Sequence, residues 1–331
     1  MRLSRILLTV LIFCICLSIP ASALTIKLGS LAPEASPWGK ALKKLAAEWN
    51  SISRGRVNVK IFPGGIAGGE FDMIRKIRIN QLQAAAITGI GLGTISTDIV
   101  IVQLPFLVKD DDELNYVLEK MRPTFDKIIE EKGFKLLEYT MAGWATIFSK
   151  KPVITPEDLK KLKMYAMDGH SELDQAWKAM GYHIIPLPAT DVIPALQSGM
   201  VETFITTPLM AAAMQWFGLA PHMADLKFGP MTGGIIISRR TWQRIPEEIK
   251  PELLAAAERI IKDLYKETRE VEEKALEVML QHGLIINPIP PKAYREWEKL
   301  VDTGFSMLIG DVFSREVYDE LKGYIEEYRK K

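Results

Sequence analysis

Cysteine is nearly absent from this 331-residue chain: only Cys14 and Cys16 occur, both inside one apolar run near the start. A disulfide framework and a thiolate nucleophile are excluded from everything that follows. No sign of charge dominates, with 42 Lys and Arg against 41 Asp and Glu. Proteins dedicated to the phosphate backbone of nucleic acids concentrate Lys and Arg, so that class is excluded. The four histidines, His170, His183, His222 and His282, stand far apart in sequence and have no tight carboxylate cluster beside them. No metal site is expected, and no cofactor. Gly64, Gly65, Gly68 and Gly69 form a cluster, but no Lys-Ser/Thr follows it and the dinucleotide spacing is missing. A turn or a cleft lining is the better reading there. No G-x-S-x-G occurs and no nucleophile, base and oxyanion set converges, so the chain reads as a binder and not an enzyme.

Long hydrophobic runs are also scarce. The one at Ile6 to Ile19 follows Arg2 and Arg5 and precedes Pro20-Ala21-Ser22-Ala23. It is short for a spanning helix, which needs about 20 residues. Basic start, apolar centre and small residues make residues 1–23 a secretory signal peptide, cleaved near Ala23, with the mature chain in the periplasm. Both cysteines leave with it. The remaining length of about 308 residues exceeds what one core fills and suggests two lobes.

What is present is a strand–helix alternation. Leu24 to Leu28 alternates with period two, and Ser36-Pro37 opens a helix carrying Trp38, Leu42, Leu45 and Trp49. Val57, Val59 and Ile61 mark a second strand. Residues 70–79 read as a helix, 83–88 as a strand, 110–131 as a helix and 134–139 as a strand. The run Asp110-Asp111-Asp112-Glu113 reads as a helix entrance facing solvent. A second series follows: Thr155-Pro156-Glu157-Asp158 caps a helix, residues 163–166 begin a strand, and 171–180, 184–187, 193–198, 204–206 and 233–238 continue the rhythm. Residues 247–281 form an over-long helical pattern suited to bracing two lobes. The class is α/β with a mostly parallel sheet covered on both faces.

Several ordered segments carry a resemblance. They are Leu31-Ala32-Pro33 with Ser36-Pro37; Arg54-Gly55-Arg56-Val57 with Phe62-Pro63-Gly64-Gly65; and Leu104-Pro105-Phe106-Leu107. Ile154-Thr155-Pro156-Glu157-Asp158-Leu159-Lys160-Lys161-Leu162-Lys163-Met164 follows, then Leu187-Pro188, Ala195 to Glu202, and Trp242 with Ile245-Pro246-Glu247. In these the chain resembles the solute receptors of tripartite ATP-independent periplasmic (TRAP) transporters, of the dicarboxylate- and sialate-receptor (DctP) type. That resemblance implies a two-lobed fold similar to class II periplasmic binding proteins, with a long helix bracing both lobes. It implies lobe I at 24–142 plus about 231–270, and lobe II at 143–230 plus about 271–331. It also implies a cleft that closes on ligand, and delivery to membrane subunits.

The resemblance breaks where ligand should bind. The family's carboxylate-gripping arginine falls at Tyr165, a second common arginine at Ala145, the usual aromatic at Ala189, and an asparagine-like position at Thr206 or Thr207. Tyr offers one hydroxyl where Arg offers a charged fork. A buried carboxylate would there lose its compensation. The expectation is therefore a neutral, amphipathic or hydrophobic ligand, lined by Trp144, Tyr165, Thr207, Met210 and Trp216, with Trp177 in the core. The alternatives are a small organic acid held without the arginine, with Lys163 as its stand-in, and a structural or signalling role. Divergent members of the family imply one further partner, a periplasmic tetratricopeptide-repeat helper.

Overall fold

The computed structural model describes residues 23–167 and 171–331. The leader assignment and His170 lie outside those residues. Among the described residues ten strands run as β1 Leu24–Ser30, β2 Val57–Phe62, β3 Ala84–Thr88, β4 Phe134–Ser149, β5 Lys163–Met167, β6 His183–Leu187, β7 Thr203–Thr206, β8 His222–Ala224, β9 Gly229–Ser238 and β10 Ile285–Asn287. The helices are α1 Pro37–Ile52, α2 Glu70–Arg78, α3 Gly89–Ile95, α4 Asp111–Glu131, α5 Pro156–Lys160, α6 Ser171–Ala179, α7 Val192–Ser198, α8 Pro208–Ala213, α9 Arg239–Trp242, α10 Lys250–Gln281, α11 Pro291–Gly304 and α12 Arg315–Arg329.

The local signals explain most boundaries. Ser36 caps α1 by accepting the Gly39 N–H at 3.1 Å, and Pro37 follows where no amide is needed. Gly39 is required by space: a Cβ there would sit 2.3 Å from the Pro33 carbonyl oxygen. Thr155 and Asp158 form a reciprocal capping box on α5. The 247–281 pattern resolves into a short 3-10 turn, Glu247–Ile249, and one continuous helix, α10, with Pro251 in its first turn.

Strand order is β2-β1-β3-β9-β4-β7-β5-β6, with β8 pairing β4 and β10. β1 is parallel to β2 and β3, and β5 is parallel to β6 and β7. β4 and β9 run antiparallel to their neighbours and join the two parallel groups. β4 is 16 residues long, well beyond the 134–139 that alternation marks. The alternation fails because the ladder with β9 shifts register between Leu136 and Glu138 and again between Met141 and Gly143. Gly143 sits there at φ +127, a conformation that side chains resist, and a Cβ would lie 3.1 Å from Glu272 Oε2.

The lobes share one sheet and one large apolar cluster, which runs from Met73, Leu92 and Val117 to Leu159, Met164 and Trp177, and each also has a cluster of its own. On one face of the β1–β3 group, Ile26, Leu28, Leu45, Trp49, Ile235, Leu253 and Ile260 pack together. The Trp49 indole N–H donates to the Leu253 carbonyl at 3.0 Å. In the β5–β7 group, Phe148, Tyr165, Leu196, Phe204, Trp216 and Met279 form a separate cluster. α10 supplies Leu253 and Ile260 to the first and Met279 to the second, so it braces both lobes. Each buried Leu or Ile contributes roughly 1.5–3 kcal/mol of transfer free energy. Among the described residues no helix is long and apolar enough to cross a membrane.

Candidate functional site: the cleft between opposed strand ends

Register alone shows where a cleft must lie. The end of β3 reaches Thr88, which pairs with Gly233, and Gly233 pairs with Thr140 of β4. From the other lobe, β7 ends at Thr206 opposite Thr146 of β4. The carboxyl ends of the two parallel groups therefore point at each other. Six residues of β4 separate their levels, which is about 20 Å at ~3.4 Å per residue. Open α/β sheets bind ligands outside their carboxyl strand ends, and here two such edges face one another.

Apolar side chains stand exposed at the lip of this cleft. Leu31, Ile66 and Phe71 of the first lobe and Met167, Met210 and Met214 of the second are exposed at the opposed ends. Tyr165, at the centre of β5, is different. Its ring packs edge-on to Trp216 with centroids 5.6 Å apart. Its hydroxyl is buried and has no hydrogen-bond partner among the described residues. Burial also raises its pKa, so it stays a proton donor.

A family model described as bacterial extracellular solute-binding protein, family 7, matches residues 28–306. The chain belongs to that family, the periplasmic solute-binding proteins of TRAP transporters. A C4-dicarboxylate-binding periplasmic protein from Rhodobacter capsulatus is 22% identical over 291 residues, 86% of this chain and 87% of that one. A TRAP solute-binding protein from Ochrobactrum anthropi superposes with a TM-score of 0.85 at 21% identity, covering 94% of this chain and 97% of its own. Another from Desulfovibrio salexigens, holding orotic acid, gives a TM-score of 0.82 at 21% identity, with 93% and 99% covered.

The remaining candidate positions of this solute-binding protein fall in distinct settings. Ala145 is buried on β4 opposite Gly229, and its carbonyl accepts the Phe228 N–H at 2.8 Å. Alternation along β4 puts Ala145 on the same face as Ile147, which packs with Met164, whereas Tyr165 belongs to the Phe148 cluster. Ala189 lies exposed in a 3-10 turn, Ala189–Asp191. Thr206 is buried beside β4. Thr207 caps α8 by accepting the Met210 N–H at 3.2 Å, and Met210 itself is exposed. Lys163, weighed as the arginine's stand-in, donates through its ammonium to the Gly199 carbonyl at 3.0 Å, at the carboxyl end of α7. Trp177 is core, stacked on Phe228.

Trp144 is tied to residues that the sequence does not single out. Its indole N–H donates to Asp111 Oδ1 at 2.7 Å, and Arg269 of α10 donates to Asp111 Oδ2 at 2.7 Å. The expectation that the acidic run faces solvent holds for Asp110, which caps α4, and for exposed Asp112. Asp111 instead joins α4, β4 and α10. Glu113 is buried and takes the Lys109 amide and the Arg329 guanidinium. Glu272, also on α10, lies against Gly143 and accepts the Leu209 N–H at 3.5 Å, and burial raises its pKa. Lys227 is exposed beside this cluster, with Nζ 5.0 Å from the Trp144 ring centre and no acidic partner among the described residues. Among the described residues no group of three His, Cys, Asp or Glu could hold a metal. Glu34 pairs with Lys43, Glu70 accepts backbone N–H groups, and Asp191 stands exposed.

Proposed function

We propose that this receptor captures a small organic acid in the cleft and hands it to the membrane subunits of its transporter. The acid's oxygen meets the Tyr165 hydroxyl in place of a guanidinium, and its carbon body lies against the apolar lip. The observation that carries this reading is the buried Tyr165 O–H without an acceptor. An unpaired buried donor costs roughly 1–3 kcal/mol, which an acceptor oxygen on a ligand would recover. Named relatives bind C4-dicarboxylates or hold orotic acid, and these share the carboxylate. The acid reading thus takes precedence over the neutral or hydrophobic ligand expected from the lost arginines. A neutral ligand is the second reading, favoured by exposed Leu31, Phe71, Met167 and Met210. The proposed lobe division places the Gly143 bulge at the crossing. The tetratricopeptide-repeat helper rests on the resemblance alone.

Calorimetry with succinate, orotate and the diamide of succinate separates the readings. Saturable binding of an acid, at least tenfold weaker for its amide and for Tyr165→Phe, is the expected result. Equal binding of acid and amide, or native mass spectrometry showing only a neutral hydrocarbon retained through purification, overturns it.

A further inference from the structure

The brace helix changes the character of its contacts where it passes from one lobe to the other. Leu253, Ile260 and Leu264 of α10 belong to the first-lobe cluster, and Leu276 and Met279 to the second-lobe cluster. Between Leu264 and Leu276, about 18 Å of helix at ~1.5 Å per residue, α10 gives no residue to an apolar cluster of the described residues. Polar side chains take over. Thr268 is buried, and its hydroxyl donates back to the Leu264 carbonyl at 2.8 Å, a type of bond that often bends helices. Arg269 reaches Asp111, and Glu272 lies against Gly143 and the Leu209 N–H. The strand crossing coincides with this seam: β4 shifts register against β9 between Met141 and Gly143, and Trp144 follows directly.

One carboxylate joins the pieces. Asp111, the first residue of α4, accepts the Trp144 indole N–H on Oδ1 and the Arg269 guanidinium on Oδ2, each at 2.7 Å. The Tyr265 phenol, one turn before Arg269, lies against the same carboxylate. Burial, then Asp111, push its pKa up, so it remains a proton donor. Apolar contact has no direction and scales with area, whereas charge-assisted hydrogen bonds are directional and roughly twice as strong as neutral ones. The apolar clusters therefore hold each end of α10 to its own lobe, and the bonds at Asp111 fix the angle between those ends. Hinges in proteins are set by a few such residues at element ends. The pair of Lys44 with Asp263, also on α10, is different: it joins α1 and α10 within the first lobe, and both partners are half-exposed.

We propose that Asp111 is a positioning residue for ligand capture: through Trp144, Arg269 and Tyr265 it sets the angle at which the two lobes stand before ligand arrives. The role concerns the empty receptor and holds whether the cleft takes an acid or a neutral molecule. Spin labels attached at Ala35→Cys and Thr190→Cys, both exposed just beyond the carboxyl ends of β1 and β6, report the span of the cleft by pulsed electron paramagnetic resonance. The measurement uses the exported chain, which no longer carries Cys14 and Cys16. Without ligand, the distance distribution is expected to be narrow, to widen at least twofold or to split in Asp111→Ala, and to widen less in Trp144→Phe and Arg269→Ala, each of which removes one bond. Lys44→Ala, which breaks the pair inside one lobe, should leave it unchanged. Circular dichroism and thermal melting verify that each variant is folded. A distribution unaltered in Asp111→Ala, or altered as much in Lys44→Ala, overturns the proposal. Should Asp111→Ala not fold, unaltered distributions in both Trp144→Phe and Arg269→Ala overturn it instead. Failure of succinate or orotate to bind bears only on the cleft ligand.

Discussion

The two strand ends that face each other across the cleft treat a polar side chain in opposite ways. In the first lobe, buried Glu70 accepts the Thr88 N–H at 2.7 Å, the Thr88 hydroxyl at 2.8 Å and the Gly91 N–H at 2.9 Å. Its carboxylate thereby completes the β3–α3 turn, and none of that hydrogen bonding remains for a ligand. In the second lobe, Tyr165 at the centre of β5 carries a buried hydroxyl with no hydrogen-bond partner among the described residues. One lobe is finished by its own side chains and the other is left one hydrogen bond short. Specificity should therefore reside in the second lobe, while the first supplies a rigid wall.

The sharpest way to break this contrast is to remove the satisfied group. Glu70→Ala orphans two backbone donors and a hydroxyl, and should destabilise the protein by about 3–4 kcal/mol. A loss of unfolding free energy of under about 1 kcal/mol in denaturant titration would show that water or rearrangement replaces the carboxylate, and the contrast would fail.

The same strand that links the lobes carries a titrating group. Glu138 of β4 is pushed up to about 7 from 4.5, chiefly by burial, with Glu258 and Asp126 adding to the rise and Arg122 and Lys262 opposing it. In the folded protein this carboxyl keeps its proton to higher pH than in the unfolded chain. Its contribution is thus fully present below about pH 4.5 and is lost as pH rises through about 7. The loss between pH 5 and pH 8 should be roughly 1–3 kcal/mol relative to Glu138→Gln. Parallel stability–pH curves for the two proteins would refute the assignment.

Tyr165→Phe sharpens the other side of the comparison. Deleting an unpaired buried hydroxyl should leave the ligand-free protein unchanged or stabilise it by about 1 kcal/mol. A melting temperature that falls instead would mean that the hydroxyl has a structural partner. The smallest effect is expected at the lip: Met210→Ser should alter stability by less than about 0.5 kcal/mol, because Met210 is 44% exposed. Ligand affinity should nonetheless fall, and an unchanged affinity by calorimetry would remove Met210 from the cleft.

Much of the architecture was legible from local pattern. Period-two runs marked β1 and β2, Ser36-Pro37 and Thr155-Pro156 marked helix starts, and the helical run over residues 247–281 marked the brace. These signals are local, because caps and periodicities involve residues within a turn or two of each other. Tyr165 and Ala145 could be picked out as departures from a family pattern, but whether either hydrogen-bonds could not, since that depends on which groups the far chain brings near. The same holds for the run at Asp110. Four adjacent acidic residues look alike in sequence, yet Asp110 caps α4, Asp111 binds Trp144 and Arg269, Asp112 faces solvent and Glu113 holds Arg329. Sequence determines period and cap because their partners are neighbours along the chain. Partners from 33 to 216 residues away, as for Trp144 with Asp111 and Arg329 with Glu113, are decided only when the strands take register and α10 and α12 dock across them.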